Sequence, residues 1–170
     1  DDQGNELVGG SDEQNVAWGH WENDTDQKWV VGQETSTATI DSYRQNNVNA
    51  KYSGTVAGSL NGTDAIKMDS TNQTELDLTF KPVGNDTMTG TIKFETETSK
   101  GYDVSIDSAS ISGADISIVT NDLTDQGSTN AVTEGQIDAK IMGDDADSIG
   151  GVGKLINSDG TATFVLQADK

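Results

Sequence analysis

Cysteine is absent from the 170 residues of the chain, and proline occurs once, at Pro82. The missing thiols exclude a disulfide scaffold, a thiolate metal site and a cysteine nucleophile. No apolar run approaches the ~20 residues that a membrane-spanning helix needs, and the opening Asp1-Asp2-Gln3-Gly4 shows no signal-peptide pattern. We therefore expect no membrane insertion by this segment, and we expect a mature or excised, monomeric module of a larger protein.

Basic residues are scarce, because 10 Lys and Arg stand against 29 Asp and Glu, for a net charge of -19. A charge of this sign repels phosphate backbones and anionic lipid head groups. The sequence therefore argues against binding to nucleic acid or to a membrane surface.

Apolar residues are also few, with 32% hydrophobic and 5% aromatic side chains. A low apolar content with a high net charge is typical of disorder, unless the apolar residues are concentrated on the inner faces of regular elements. The 19 Gly and the many Thr, Ser, Asn and Asp indicate turns between short strands and very little helix. The spacing of the apolar residues decides whether the chain is disordered or folded into strands.

Apolar and polar residues alternate along several segments, which is the pattern of half-buried strands. Two such runs between Thr74 and Glu95 flank the turn at Pro82 and predict a β-hairpin. The pattern recurs at residues 136–141 and 162–167. The residues predicted to fill the core are Leu76, Leu78, Phe80, Met88, Ile92, Phe94, Ile137, Ile141 and Phe164.

Further strands, separated by turn signals, are predicted at residues 51–60, 65–69, 102–107, 109–112, 116–120 and 148–156. Successive antiparallel neighbours predict an all-β fold, an antiparallel up-and-down β-barrel of about eight strands. We expect a single domain. Its residues 1–50 would form a short Trp-rich leading hairpin and a loop, the latter from Gln33 to Asn49, and its residues 51–170 the barrel.

Several motifs rich in Gly and aromatic residues occur along the chain within the predicted strands. They are Trp18-Gly19-His20-Trp21, Trp29-Val30-Val31-Gly32, Tyr52-Ser53-Gly54-Thr55-Val56-Ala57-Gly58, Leu76-Asp77-Leu78-Thr79-Phe80, Met88-Thr89-Gly90-Thr91-Ile92, residues 135–143 and residues 146–151. From roughly Val16 to Leu166 the chain resembles the C-terminal β-barrel domain of the transferrin-binding protein B family. Similar barrels occur in bacterial surface lipoproteins and in large FecR-domain surface proteins. The chain departs from the family pattern at Gly143-Asp144-Asp145-Ala146, where Gly-Pro-x-Ala is usual, and in lacking the lipid-bearing Cys.

The resemblance implies an extracellular module, associated with the outer membrane of a Gram-negative cell, that binds a protein or glycan partner. None of the family's contact residues can be carried over by position. Glycines inside strands mark bends or close backbone approaches, as a tightly curled barrel requires. The residues that fit this role are Gly54, Gly58, Gly90, Gly135 and Gly151.

His20 is the only histidine, so a general base, a haem ligand or an imidazole metal ligand would have to be this residue. No second imidazole accompanies it, and the chain has no Gly-x-Ser-x-Gly nucleophile motif. With 29 acidic residues, carboxylate pairs arise at any spacing and say nothing about glycosidase chemistry. We predict no catalytic residue and no enzymatic activity.

Three tryptophans stand in one short stretch, at Trp18, Trp21 and Trp29, with His20 between the first two. These four residues are the candidate partner-binding site, because exposed aromatic rings form stacking platforms for sugars and proteins. The alternative is that the tryptophans cover one end of the barrel, since large apolar groups are scarce in this chain.

Two acidic clusters are candidate calcium ligands, because Ca²⁺ prefers grouped oxygen ligands. One contains Asp24 and Asp26, and the other contains Asp144, Asp145 and Asp147. Neither continues to the Gly and the distant Glu of an EF-hand loop, which favours ordinary acidic turns. No other cofactor is expected.

Two alternative functions follow from the same barrel. A lipocalin-like carrier of haem or another apolar molecule would need a sizeable internal cavity. A passive spacer in a large adhesin would need neither a cavity nor a partner. We expect a filled interior and a module that acts through its surface.

Overall fold

The computed structural model describes residues 7–11, 16–21, 24–127 and 130–170, and most of them lie in strands. The strands are β1 (Leu7–Ser11), β2 (Val16–Trp21), β3 (Asp24–Gly32), β4 (Asn49–Leu60), β5 (Asp64–Ala65), β6 (Gln73–Thr79), β7 (Thr87–Glu95), β8 (Gly101–Ile106), β9 (Ser110–Ser112), β10 (Asp115–Val119), β11 (Leu123–Asp125), β12 (Glu134–Met142), β13 (Ser148–Asn157) and β14 (Gly160–Asp169). The helix α1 spans Thr37–Gln45, and short 3-10 turns span Pro82–Gly84 and Thr120–Asp122. No described helix has the length and apolar character needed to cross a membrane.

The main sheet is antiparallel and closes into a ring of eight strand units. β4, β6, β7 and β8 pair in succession, and β12, β13 and β14 do the same. A hairpin joins β8 to β12, and each of its two arms is divided into two strands. β9 continues the line of β8, and β11 continues the line of β10 after a 3-10 turn; β9 pairs with β10, and β11 pairs with β8. β10 also pairs with β12, and β14 pairs with β4, so the last strand meets the first. The predicted up-and-down barrel is confirmed.

Aromatic and aliphatic side chains fill the inside of the barrel. All nine predicted core residues are buried, each with 3% or less of its surface exposed. Phe94 stacks on Tyr102 with ring centroids 4.7 Å apart, and it also contacts Phe164 at 5.9 Å. These rings occupy the space in which a lipocalin-like carrier would hold its ligand.

The first and last strands of the barrel approach each other closely because β4 has glycines where it faces β14. A Cβ at Gly54 would lie 1.9 Å from the carbonyl oxygen of Gln167, and one at Gly58 would lie 2.0 Å from that of Thr163. A Cβ at any of the other three predicted glycines would also come within 3.0 Å of a neighbouring atom. The prediction that these glycines permit close approach is confirmed.

The polar segment predicted as a loop at residues 33–49 contains α1, so this prediction is wrong. The hydroxyl of Ser36 accepts the N–H of Thr39 at 3.1 Å and caps the first turn. Ile40 is 1% exposed and belongs to the barrel core, and the ring of Tyr43 meets Phe80 edge-on at 5.3 Å. The helix therefore covers the end of the barrel that holds the loops after β6 and β12.

The strand predicted at residues 65–69 is mostly absent, because β5 ends at Ala65. The side chain of Asn72 takes over the pairing of β4 between its neighbours β5 and β6. Its Oδ1 accepts the N–H of Val56 at 3.0 Å, and its Nδ2 donates to the carbonyl of Val56 at 2.7 Å. The buried amide of Asn72 thus makes the hydrogen bonds with Val56 that a neighbouring strand would otherwise make. The alternation of apolar and polar residues does not predict this arrangement.

Candidate functional site

The leading segment forms a three-stranded sheet that lies on the outer wall of the barrel. β2 is the central strand, and it pairs with β1 on one side and β3 on the other. The side chains of Val16 and Val30 lie over Gly150 of β13, where a Cβ would stand 3.1 and 2.9 Å from them. The interpretation that the tryptophans cover a barrel end is therefore wrong for Trp18, because β2 and β3 lie over β13 and β14 of the barrel wall.

Trp18 holds the sheet against the wall. Its indole Nε1 donates a hydrogen bond of 2.9 Å to Oε1 of Gln167 on β14. Trp18 stands opposite Val30 in the β2–β3 pairing, so both side chains lie on the inner face of the sheet. This hydrogen bond gives Trp18 a part in attaching the sheet to the barrel.

Trp29 and Val31 belong to the outer face of the same sheet, because side chains alternate along β3 and Val30 faces the barrel. Val31 is 57% exposed and is one of three large apolar residues that are exposed among the described residues. The indole N–H of Trp29 is buried and has no acceptor among the described residues. The outer face therefore has an apolar side chain and an aromatic ring close together. They lie on β3, which is an edge strand of the described three-stranded sheet.

Four of the candidate residues are placed by their backbones alone. His20 and Trp21 lie on β2, and Asp24 and Asp26 lie on β3. Their side chains fall outside the described part of the chain. Their predicted roles in partner or calcium binding therefore stay predictions.

No family model and no curated protein matches the chain. Solved structures do: isotype 1 transferrin binding protein B (TbpB) from serogroup B Neisseria meningitidis matches with a TM-score of 0.66 and 20% identity, over 98% of this chain and 34% of that one. The chain has the fold of a TbpB barrel domain. A variant of TbpB from Haemophilus parasuis Hp5 matches with a TM-score of 0.60, at 15% identity over 97% of this chain and 37% of that one.

The intact Ap-TbpB, with its N and C lobes, matches with a TM-score of 0.54, at 17% identity over 97% of this chain and 38% of that one. The chain thus spans little more than a third of each of these TbpB structures. Identities this low establish the TbpB fold alone, and the activity and partners of the present chain are matters for proposal.

The second acidic cluster of this TbpB-type barrel lies in the turn between β12 and β13. A carboxylate oxygen of Asp144 accepts a hydrogen bond from Nε2 of Gln33 at 2.7 Å. The backbone oxygen of Asp145 accepts from Tyr43 at 2.8 Å and from Nζ of Lys170 at 2.9 Å. The described residues include no group of three or more His, Cys, Asp or Glu side chains arranged to hold a metal ion.

An ion-pair bridge fixes the segment that leads from the three-stranded sheet to α1. The ammonium of Lys140 on β12 donates to Oδ1 of Asp115 at 2.5 Å and to Oε2 of Glu34 at 3.0 Å. These hydrogen bonds raise the pKa of Lys140 above its ordinary value. The backbone N–H of Thr35 also donates to the carbonyl of Ile141 at 3.0 Å, so the sheet and the helix are both anchored to β12.

The sequence did not single out Val31 or Gln167. Val31 follows Val30 directly, and the doublet breaks the alternation expected of a strand with one apolar face. That break was a usable signal that β3 has apolar groups on both faces. The contact of Gln167 with Trp18 could not be predicted from the sequence, because it depends on which strands of the barrel the leading sheet covers.

Proposed function

We propose that this chain is a non-catalytic binding module, displayed on the surface of a Gram-negative bacterium as part of a larger protein. Its TbpB barrel fold, matched over 98% of the chain, is the observation that carries the proposal. The solved relatives are named for binding transferrin, a protein, and a protein partner is accordingly proposed here. The mechanism is complementarity between surfaces.

The outer face of the three-stranded sheet is the proposed contact surface. It combines the exposed Val31 with the ring of Trp29, whose N–H has no acceptor within the described residues. Aromatic side chains are frequent anchors at the centre of protein interfaces. The filled barrel supports this choice, because it directs binding to the outside of the molecule.

A pull-down with the immobilised chain tests the proposal. The probes are host serum proteins, with transferrin as the first, and cell-surface glycans, each with and without calcium. We expect the capture of a protein that survives washing and is competed by free chain. Capture of glycans alone, or of nothing in any condition, would overturn the proposal, and the second result would favour a spacer.

A further inference from the structure

Two adjoining crevices lie where the inner face of the three-stranded sheet meets the barrel wall. The first, of about 290 Å³, is lined by Trp18, Lys28, Gly58 and Ser59 among others. The second, of about 450 Å³, is lined by Lys28, Asp138, Lys154 and Thr163 among others. Lys28 of β3 lines both, so the two form one interrupted groove beneath the sheet.

Two buried hydroxyl groups stand side by side on the floor of this groove. Ser59 on β4 and Thr163 on β14 are direct cross-strand neighbours, and both point away from the core. Ser59 is 8% exposed. Among the described residues neither Oγ of Ser59 nor Oγ1 of Thr163 has a hydrogen-bond partner. Buried hydroxyls without partners destabilise a fold, and two adjacent ones indicate an occupant that supplies the missing hydrogen bonds.

We infer that this groove binds a neutral saccharide through Trp18, Ser59 and Thr163. Each serine or threonine hydroxyl can both donate and accept, which matches a pair of vicinal sugar hydroxyls. The ring of Trp18, fixed by its hydrogen bond to Gln167, offers a flat apolar surface to the C–H face of a pyranose.

The electrostatics select a neutral ligand over an anionic one. The chain has a net charge of -19, and the Asp138 carboxylate lines the groove. An anion would therefore be repelled at long range by the net charge of the chain, although Lys28 and Lys154 also line the groove. Ser59 lines the first crevice and Thr163 the second, with Lys28 lining both, so a saccharide that reaches both hydroxyls would displace the Lys28 side chain from its present position.

The inference does not depend on the proposed protein partner, because that partner would meet the opposite face of the sheet. Its test is a proton–nitrogen correlation spectrum of the full chain during titration with methyl α-glucopyranoside, methyl β-galactopyranoside or N-acetylglucosamine. We expect at least one to shift the indole N–H signal of Trp18, with weak, saturable binding. The signal is assigned with Trp18→Phe.

Thr163→Val and Ser59→Ala remove one hydroxyl each, and we expect each to weaken saccharide binding by about tenfold, one lost hydrogen bond. Thr163→Val keeps the β-branched shape and should also raise the midpoint of thermal unfolding, which shows that the variant folds. Thr91→Val, on β7 and outside both crevices, is the matched control and should bind as the wild type does. The inference is overturned if no saccharide shifts the Trp18 signal, or if Thr163→Val binds as tightly as the wild type.

Discussion

The guanidinium of Arg44 donates from Nε and Nη2 to one carboxylate oxygen of Asp86, at 2.9 and 2.6 Å, and the Asp86 side chain has no exposed surface. The other carboxylate oxygen accepts the backbone N–H of Lys81 at 2.9 Å. The hydrogen bond to Asp86 raises the pKa of Arg44. The only arginine of the chain thus ties α1 to the turn between β6 and β7 and holds the helix over the barrel end.

Replacing Arg44 with Met leaves the buried Asp86 carboxylate without its counter-ion. We expect the free energy of unfolding to fall by roughly 3 kcal/mol, as for other buried pairs that lose one partner. Urea denaturation measures the change. Asp41→Asn is the control, because Asp41 is 55% exposed and 3.4 Å from Arg44, and should change stability by less than ~0.5 kcal/mol. Equal effects of the two substitutions would show that α1 is not held by the buried pair.

Gly58→Ala should destabilise the barrel, because the new Cβ would stand 2.0 Å from the carbonyl oxygen of Thr163 and force β4 away from β14. Overpacking against backbone costs about 2 kcal/mol or more. At Gly101 a Cβ would meet nothing within 4 Å, so Gly101→Ala is the matched control and should be nearly neutral. Thermal unfolding of the two variants gives the comparison. A tolerated Gly58→Ala would contradict the close closure of the ring.

Alkaline pH should unfold the barrel through its buried tyrosines. Burial raises the pKa of Tyr102 to about 12, and it also raises the pKa of Tyr52. In the unfolded chain tyrosines lose their protons near pH ~10. The unfolded state therefore releases protons first, and stability that is constant below pH ~10 is lost between about pH 10 and 12.

Tyrosinate absorbance and circular dichroism, followed together, test this prediction. We expect Tyr52 and Tyr102 to ionise only as the strand signal disappears, and Tyr102→Phe to reduce the alkaline loss of stability. Ionisation of all three tyrosines while the strand signal is intact would show that the two buried rings are open to solvent.

The net charge of -19 should make the fold dependent on salt. Repulsion between carboxylates destabilises the compact state, and ions screen it. We expect the midpoint of thermal unfolding to rise with sodium chloride. Calcium chloride at the same ionic strength should have an equal effect if the carboxylates act only through their charge, and Asp144 is already hydrogen-bonded to Gln33. A larger calcium effect, abolished by Asp145→Asn, would establish the calcium site that the sequence suggested.

Strand alternation was enough to predict the barrel and its core. The nine core residues stand in runs such as Leu76, Leu78 and Phe80, where an apolar group at every second position specifies which face is buried. Glycines at Gly54 and Gly58 interrupt such a run and therefore indicated close approach. These features are local, and local patterns can be read without knowing which strands meet.

The helix and the leading sheet could not be predicted in this way. α1 has one fully buried residue, Ile40, and its Ser and Thr residues are poor helix formers, so its sequence has no helical period. The helix is stabilised by tertiary contacts of Tyr43 and Arg44. Trp18 and Trp29 lie on opposite faces of the leading sheet, and no composition or spacing determines which of these faces meets the barrel wall.

The outer face of the leading sheet is the surface that we propose to bind a protein partner. The dissociation constant of the captured protein, measured for the wild type, Val31→Asp and Val119→Asp, tests this proposal most directly. Val31 and Val119 are both exposed, at 57% and 47%, but Val119 lies on β10, away from the proposed face. We predict that Val31→Asp weakens binding by tenfold or more, about 1.4 kcal/mol, and that Val119→Asp leaves it unchanged. Equal affinities for the wild type and Val31→Asp would contradict the account.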